Sequence, residues 1–206
     1  MHTTFANRLR VTGAAVRALL VLTLLLGLVY PLAVTGLARA LFPNQASGSP
    51  VTVDGREVGS ALIGQGFTTT AADGTAAPAP EWFQSRPSAG NHDALASGAS
   101  NLAPTSPDLL AQVTGRRAEV AAFNGVDPAR VPVDAATASG SGLDPHISEE
   151  YALLQVERVA RERGLAADRI RALVAEHLQG RALGFLGEPR VNVLELNAAL
   201  AALDRE

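Results

Sequence analysis

Cysteine and lysine are both absent from the 206 residues, and tryptophan occurs once. Without cysteine there are no disulfides to hold the fold and no thiolate to offer a metal. All 17 cationic side chains are therefore arginine, a bias that accompanies abundant alanine and reflects genomic base composition. Missing motifs narrow the chemistry further. There is no Walker sequence, no Asp-Lys-Thr-Gly-like phosphorylation sequence, no G-x-S-x-G elbow and no H-x-x-x-H pair. The chain alone is not expected to hydrolyse ATP, and no metal site is expected. Acidic residues are missing too from residues 1–53, which carry four arginines. The remainder sets 13 arginines against 20 acids, a net charge of −7. Such an acidic body argues against nucleic acid as a ligand.

What the first part of the chain has instead is a long apolar run. Ala18–Ala38, between Arg17 and Arg39, is 21 residues without a charge, and 12 of them are Leu or Val. As a helix that run spans roughly 31 Å, about the thickness of a bilayer's hydrocarbon core. Its Leu and Val residues favour insertion by roughly 4 to 7 kcal/mol together, outweighing Thr23, Thr35, Gly27, Gly36 and Pro31. A retained membrane anchor over residues 18–41 is expected. The rival is a cleaved signal peptide, for which Ala38-Arg39-Ala40 has the right form, although a signal's apolar run of about 7–15 residues is shorter. Arg8, Arg10 and Arg17 precede the run and Arg39 alone follows closely. The positive-inside rule therefore puts residues 1–17 in the cytoplasm and residues 42–206 outside. Pro31 is expected to kink the helix near Gly27, while Thr23, Gly27, Thr35 and Gly36 leave room for a partner helix.

The stretch from Phe42 to Glu206 is long enough for one domain with its own core. Asp54-Gly55 between two alternating runs is the pattern of a β-hairpin. Thr68–Pro80 has little bulk and reads as an exposed loop. Glu81–Ala89 gathers Trp82, Phe83 and Arg86, either as an aromatic core cluster with the arginine stacked on it or as an interface anchor. Ser106-Pro107-Asp108 opens a helix through about Phe123, and Val131–Ser139 is β-branched and strand-like. Ser148 caps a helix that runs to Arg163 and stops at Gly164. Ile170, Leu173, Val174, His177 and Leu178 keep helical spacing up to Gly180. Ala182–Gly187 reads as a short strand. Asn192 and Glu195 have capping-box spacing before a last helix that buries Val193, Leu196, Leu200 and Leu203. The fold class is α+β: one N-terminal transmembrane helix, then a single mixed helix/strand extracytoplasmic domain without βαβ repetition.

The densest polar stretch is Ser139–Ser148, and three readings of it compete. Ser139 or Ser141 with His146 as base would make the chain a membrane-anchored extracytoplasmic serine hydrolase. The backbone N–H groups of Ser139, Gly140, Ser141 and Gly142 would suit a nucleotide or other anion, although the lysine and spacing of a P-loop are missing. The third reading is a tight docking loop at or near a subunit contact. Its glycines supply backbone geometry, and no residue is catalytic. We favour the third. His177 reads as a hydrogen-bonded core residue, His92 as a loop residue and His2 as terminal. A single-span accessory subunit of a larger membrane complex and an anchored hydrolase are the two functional classes left.

The same stretch carries a family resemblance. VDAATASGSGLDPHIS (Val133–Ser148) and QVERVARERGL (Gln155–Leu165) resemble the C subunit of the Kdp-type, high-affinity potassium-transporting P-type ATPase. So, in collinear order, do GSALIGQGF (Gly59–Phe67), FQSRPSA (Phe83–Ala89), ASNLAPTSPDL (Ala99–Leu109) and GRALGFLGEPRVNVLELNAAL (Gly180–Leu200). Departures are the alanine-rich Thr68–Pro80 and Ala96–Ser100, where the family more often has paired glycines. The resemblance implies a bacterial plasma-membrane protein. Its implied partners are a channel-like potassium-binding subunit, a P-type ATPase subunit and a small single-span subunit, together with membrane lipid. The implied role is accessory and non-catalytic: assembling the complex and, as a catalytic chaperone, raising the ATP affinity of the ATPase subunit. No cofactor of its own is implied, only ATP through the complex. ATP is hydrolysed in the cytoplasm, whereas the arginine asymmetry puts all but about 17 residues in or beyond the membrane. The topology takes precedence, and ATP binding stands as a family attribute.

The topology is open to a direct test. Protease added to spheroplasts should remove residues 42–206 and spare an N-terminal tag, and the membrane-bound chain should retain that tag. A mature chain beginning at Leu41 would overturn the anchor, and a protected C-terminal part would overturn the orientation.

Overall fold

The computed structural model describes residues 5–70 and 74–203, so His2 and residues 71–73 of the expected Thr68–Pro80 loop lie outside it. The chain forms two compact units, Met1–Ser49 and Pro50–Glu206. In the first, α1 (Phe5–Leu24) runs through a π turn (Leu25–Val29) into α2 (Tyr30–Leu41). Asn7–Leu41 is thereby 35 residues of helix, long and apolar enough to cross a membrane, with no buried residue in its most apolar window. Pro31 has no N–H to give the Gly27 carbonyl, and the backbone widens into the π turn around Gly27. The irregularity falls where a kink is expected, in the form of a wider turn. A short α3 (Pro43–Ala46) ends this unit, with the Ser47 hydroxyl donating to the Pro43 carbonyl at 2.8 Å.

The second unit opens with the hairpin of β1 (Pro50–Val53) and β2 (Arg56–Ser60). Asp54 and Gly55, at φ of 54° and 72°, make the left-handed pair that such a tight turn requires. A second hairpin pairs β3 (Thr68–Thr70) with β4 (Ala76–Pro78), where loop alone is expected from the sequence. The three threonines supply the strand propensity. After a long irregular stretch come α4 (Pro107–Asn124) and the one-turn α5 (Val133–Ala136). Next are β5 (His146–Ile147), α6 (Glu149–Arg163), α7 (Ala167–Glu176), β6 (Leu178–Gln179), β7 (Arg190–Asn192) and α8 (Val193–Leu203). The last three strands form an antiparallel sheet in the order β5-β7-β6.

The caps follow the sequence closely. Ser106 and Ser148 accept the N–H groups of Leu109 and Tyr151, and Gly164 closes α6 in the left-handed conformation. Asn192 accepts the Glu195 N–H at 3.1 Å, but the Glu195 carboxylate pairs with Gln179 instead of closing a full capping box. Three expectations need correction. Val131–Ser139 contains the helical turn α5 and no strand, because Ala135 and Ala136 are both buried and a strand would point one of them outward. The helix expected to reach Gly180 ends at Glu176. His177, half-exposed, caps it with Nδ1 2.9 Å from the Leu173 carbonyl, and Leu178 joins the sheet. Ala182–Gly187 is an exposed turn in which Leu183, Gly184 and Gly187 all take positive φ, and the strand falls at β7.

The core joins Ile147, Val156, Val159, Ile170, Val174, Val191, Leu196 and Leu200 around a wholly buried Phe83. Phe83 follows a turn, in which the Trp82 N–H donates to the Ala79 carbonyl at 3.3 Å, and opens an irregular segment, residues 83–87, that belongs to no sheet. Its main-chain groups are satisfied by helix side chains. Asn197 of α8 accepts the Phe83 N–H and donates to its carbonyl, both at 2.9 Å. Gln155 of α6 treats Gln84 likewise, at 2.7 and 3.1 Å. Arg158, 1 % exposed, donates to the carbonyls of Pro80 and Trp82, to Gln155 at 2.7 Å and to Asn124 at 2.9 Å. Its guanidinium also lies 4.4 Å from the Phe123 ring centre. Burial lowers its pKa to about 10, so it stays charged at neutral pH. Arg163 donates to the Glu81 carbonyl at 2.7 Å and stacks on Trp82 at 4.1 Å. The aromatic cluster thus has its stacked arginines, but they come from α6, and Arg86 points elsewhere.

Arg158→Met should be severely destabilising, because the main-chain oxygens it serves would stay buried without a donor. In unfolding of the detergent-solubilised full chain the expected loss is about 3–5 kcal/mol. Arg171→Ala, which breaks only exposed pairs with Glu157 and Asp168, should cost less than about 1 kcal/mol. Equal effects would refute the assignment.

Candidate functional site

The polar loop between α5 and β5 is clasped by three distant segments through its carbonyl oxygens. The Ser141 carbonyl receives the Gly98 N–H at 2.8 Å and the Ser97 hydroxyl at 3.0 Å. The Gly142 carbonyl receives the Ser88 hydroxyl at 2.7 Å. The Leu143 carbonyl receives the Gly64 N–H at 2.8 Å. Ser88 is a junction, since its oxygen also accepts the N–H groups of Gly90 and His92 at 3.2 and 2.9 Å. Within the loop, the Ser139 and Ser141 hydroxyls lie 3.4 Å apart and Ser141 accepts the Leu143 N–H.

The two loop glycines are unequal. Gly142 sits at φ +67°, and a Cβ there would lie 2.8 Å from the Gly98 carbonyl oxygen. Gly140 faces open space and its φ is not positive. The expectation that both glycines supply backbone geometry therefore holds for Gly142 alone. Gly64 was not legible as a loop contact, yet a Cβ on it would run into the Asp144 carbonyl. Only its place in the resembling segment GSALIGQGF marked it; Ser88 likewise stood out only within FQSRPSA.

At the far end of the loop Arg86 reaches Asp144, Nη1 to Oδ2 at 2.9 Å, and donates to the Thr137 carbonyl at 3.3 and 3.4 Å. Asp144 Oδ1 accepts the His146 N–H at 3.0 Å and lies 3.5 Å from His146 Nδ1. Burial pushes the Asp144 carboxyl up, but the hydrogen bonds from His146 and Arg86 outweigh it and hold the pKa at about 2. Next to it Asp134 accepts the N–H and hydroxyl of Ser148 at 2.8 and 2.9 Å, which fixes the start of α6. These groups line an open cavity of about 580 Å³ together with Glu150, Glu188 and Arg190. Among the described residues no serine hydroxyl bonds His146, and no group of three His, Asp or Glu side chains is placed to hold a metal. The arrangement can carry charge and fix shape; it does not assemble a nucleophile with a base.

The family described as KdpC, K+-transporting ATPase, c chain, matches residues 12–202. That span takes in the apolar helix from its third turn and every segment of the clasp. The potassium-transporting ATPase KdpC subunit of Kineococcus radiotolerans is 56 % identical over 202 residues, covering 97 % of each chain. That of Streptomyces coelicolor is 49 % identical over 218 residues, covering 98 % of this chain and 97 % of its own. That of Methylorubrum extorquens is 52 % identical over 209 residues, covering 96 % and 98 %. With the match running from the apolar helix to α8, the chain belongs to the KdpC family, the c chain of K+-transporting ATPases.

Proposed function

We propose that the chain is a non-catalytic, single-pass accessory subunit of an ATP-driven potassium uptake complex in the bacterial plasma membrane. The observation that carries this reading is the family match over residues 12–202 together with a helix long and apolar enough to span. Its N-terminus is cytoplasmic and the unit after Ser49 is extracytoplasmic, as the arginine asymmetry supports. It assembles with a channel-like potassium-binding subunit, a P-type ATPase subunit and a small single-span subunit. It raises the ATP affinity of the ATPase subunit as a catalytic chaperone. ATP is a ligand of the complex, and Ser139–Ser148 serves as a structural loop near a subunit contact. The clasp supports that last point, since the loop spends its carbonyls on three other segments of its own unit.

Co-purification from mild detergent with a membrane ATPase tests the assignment, and potassium-stimulated turnover of that complex tests the loop. Ser139→Ala, His146→Ala and Gly140→Val should each leave turnover within a few-fold of normal. Gly142→Val should lower the yield of assembled complex. Near-complete loss of turnover in a fully assembled His146→Ala complex would defeat the structural reading.

Asp144 gives a pH signature. Its folded pKa of about 2 lies below the ordinary 3.8, so the ionised carboxylate favours the folded state. That contribution is complete above about pH 4 and fades as pH falls toward about 2. Acid unfolding between those values should be shallower in Asp144→Asn than in the parent chain, and identical acid limbs would count against the Arg86–Asp144 clamp.

A further inference from the structure

The π turn in the apolar helix leaves a main-chain acceptor open as well as widening the winding. Across it the Tyr30 N–H donates to the Leu25 carbonyl, five residues back. Pro31 comes next and has no N–H to give. The Leu26 carbonyl thus lacks both the donor four residues on and the donor five residues on. A hydroxyl that bonds back to a helix carbonyl sits three or four positions after it. Those positions hold Val29 and Tyr30, whose phenol oxygen is carried away from the main chain by its ring. That oxygen is the second polar group at this level: Tyr30 is 62 % exposed, and no described residue gives its hydroxyl a partner.

Leu26 and Tyr30 each lie eight residues from an end of the uncharged run Ala18–Ala38, roughly 12 Å of helix. Tyrosines of membrane helices gather at the two interfaces, where the hydroxyl meets water; Tyr30 stands at the opposite extreme. In hydrocarbon an open carbonyl and an open hydroxyl are both costly, because no water is there to receive them. The two residues are four positions apart, which makes them neighbours on one side of the helix. Gly27 beside them carries no side chain, and a Cβ there would meet nothing within 4 Å. At mid-depth the apolar surface is therefore notched by an acceptor and a donor-acceptor.

We infer that this notch is the docking point for a transmembrane helix of another subunit, one that bears a hydroxyl or carboxamide side chain at the same depth. Such a side chain donates to the Leu26 carbonyl and accepts from the Tyr30 hydroxyl, which neither a lipid tail nor a wholly apolar helix does. The occupant is neutral, since no charge stands between Arg17 and Arg39 to balance one. Gly27 lets its backbone come close. The inference rests on the reading of residues 18–41 as a retained anchor and deepens it by naming the chemistry of the helix that meets it.

Variants of the full chain, expressed with the complex and purified in mild detergent, test the site. Tyr30→Phe removes one oxygen and leaves the ring. The chain's apparent affinity for the complex, read by dilution, should fall roughly three- to fifteen-fold, the range for one hydrogen bond between membrane helices. Pro31→Ala returns an N–H to the helix, closes the carbonyl and should weaken docking at least as much. Both variants should stay in the membrane after alkaline extraction. Tyr30→p-benzoylphenylalanine, photolysed in cells, should crosslink to one transmembrane segment of a co-purifying subunit. Mass spectrometry should find Ser, Thr, Asn or Gln within a turn of the crosslinked residue. Leu28→p-benzoylphenylalanine, on the opposite side of the helix, should capture lipid. Unchanged affinity in Tyr30→Phe or Pro31→Ala, adducts with lipid alone at position 30, equal protein capture at both positions, or a wholly apolar crosslinked segment would each overturn the site. Release of the parent chain by alkaline extraction would instead strike the anchor itself, and the docking point with it.

Discussion

A buried main chain without a sheet partner is the constraint on which the second unit depends. Residues 79–87 turn at Ala79–Trp82 and pass Phe83 into the core without joining a sheet, and a peptide group buried there must find a partner or cost free energy. Asn197 and Gln155 meet Phe83 and Gln84 with the donor-acceptor pair that a neighbouring strand would offer. Arg158 takes two further carbonyls and holds Gln155 and Asn124 in place. A charge at 1 % exposure is tolerable only because four oxygens and an aromatic face receive it. Phe83 is buried because its backbone is satisfied; the two facts are one arrangement.

The same logic extends from the core to the surface loop. Leaving the core, the segment delivers Arg86 to Asp144 and Ser88 to the Gly142 carbonyl. The loop that carries the resemblance is thus shaped by residues 43 to 79 positions earlier in the chain. Its contacts are spent within its own unit. Its hydroxyls are engaged with one another and with main-chain groups, and Asp144 holds His146 by both its N–H and its ring.

Local signals in the sequence read well wherever the cause was local. Ser106, Ser148, Gly164 and Asp54-Gly55 set helix ends and a turn through neighbours within four residues, and each does so in the structure. Expectations failed where the cause was distant. Val131–Ser139 looks like a strand by its β-branched residues, but Asp134 is drawn toward the start of α6 and the chain curls to deliver it. Leu178 fits a helical stripe, yet β7 offers it a ladder. Arg158 gave no sign of burial, because arginine is nearly always exposed and its acceptors at Pro80 and Trp82 lie 78 and 76 residues away. Gly64 and Ser88 were marked by resemblance and by nothing in their own neighbourhoods.

The bond between Phe83 and Asn197 spans 114 positions, which bears on the order of events during synthesis. The segment around Phe83 is made early, with its apolar ring and its polar backbone both lacking partners until the last helix exists. Contacts so far apart along the chain form slowly, because a long loop must close before any of them is gained. The core therefore stays open until α8 has emerged, and the nascent unit exposes its apolar segments until then. A chaperone that binds exposed apolar segments has its longest opportunity here, and α8 is the latch that ends it.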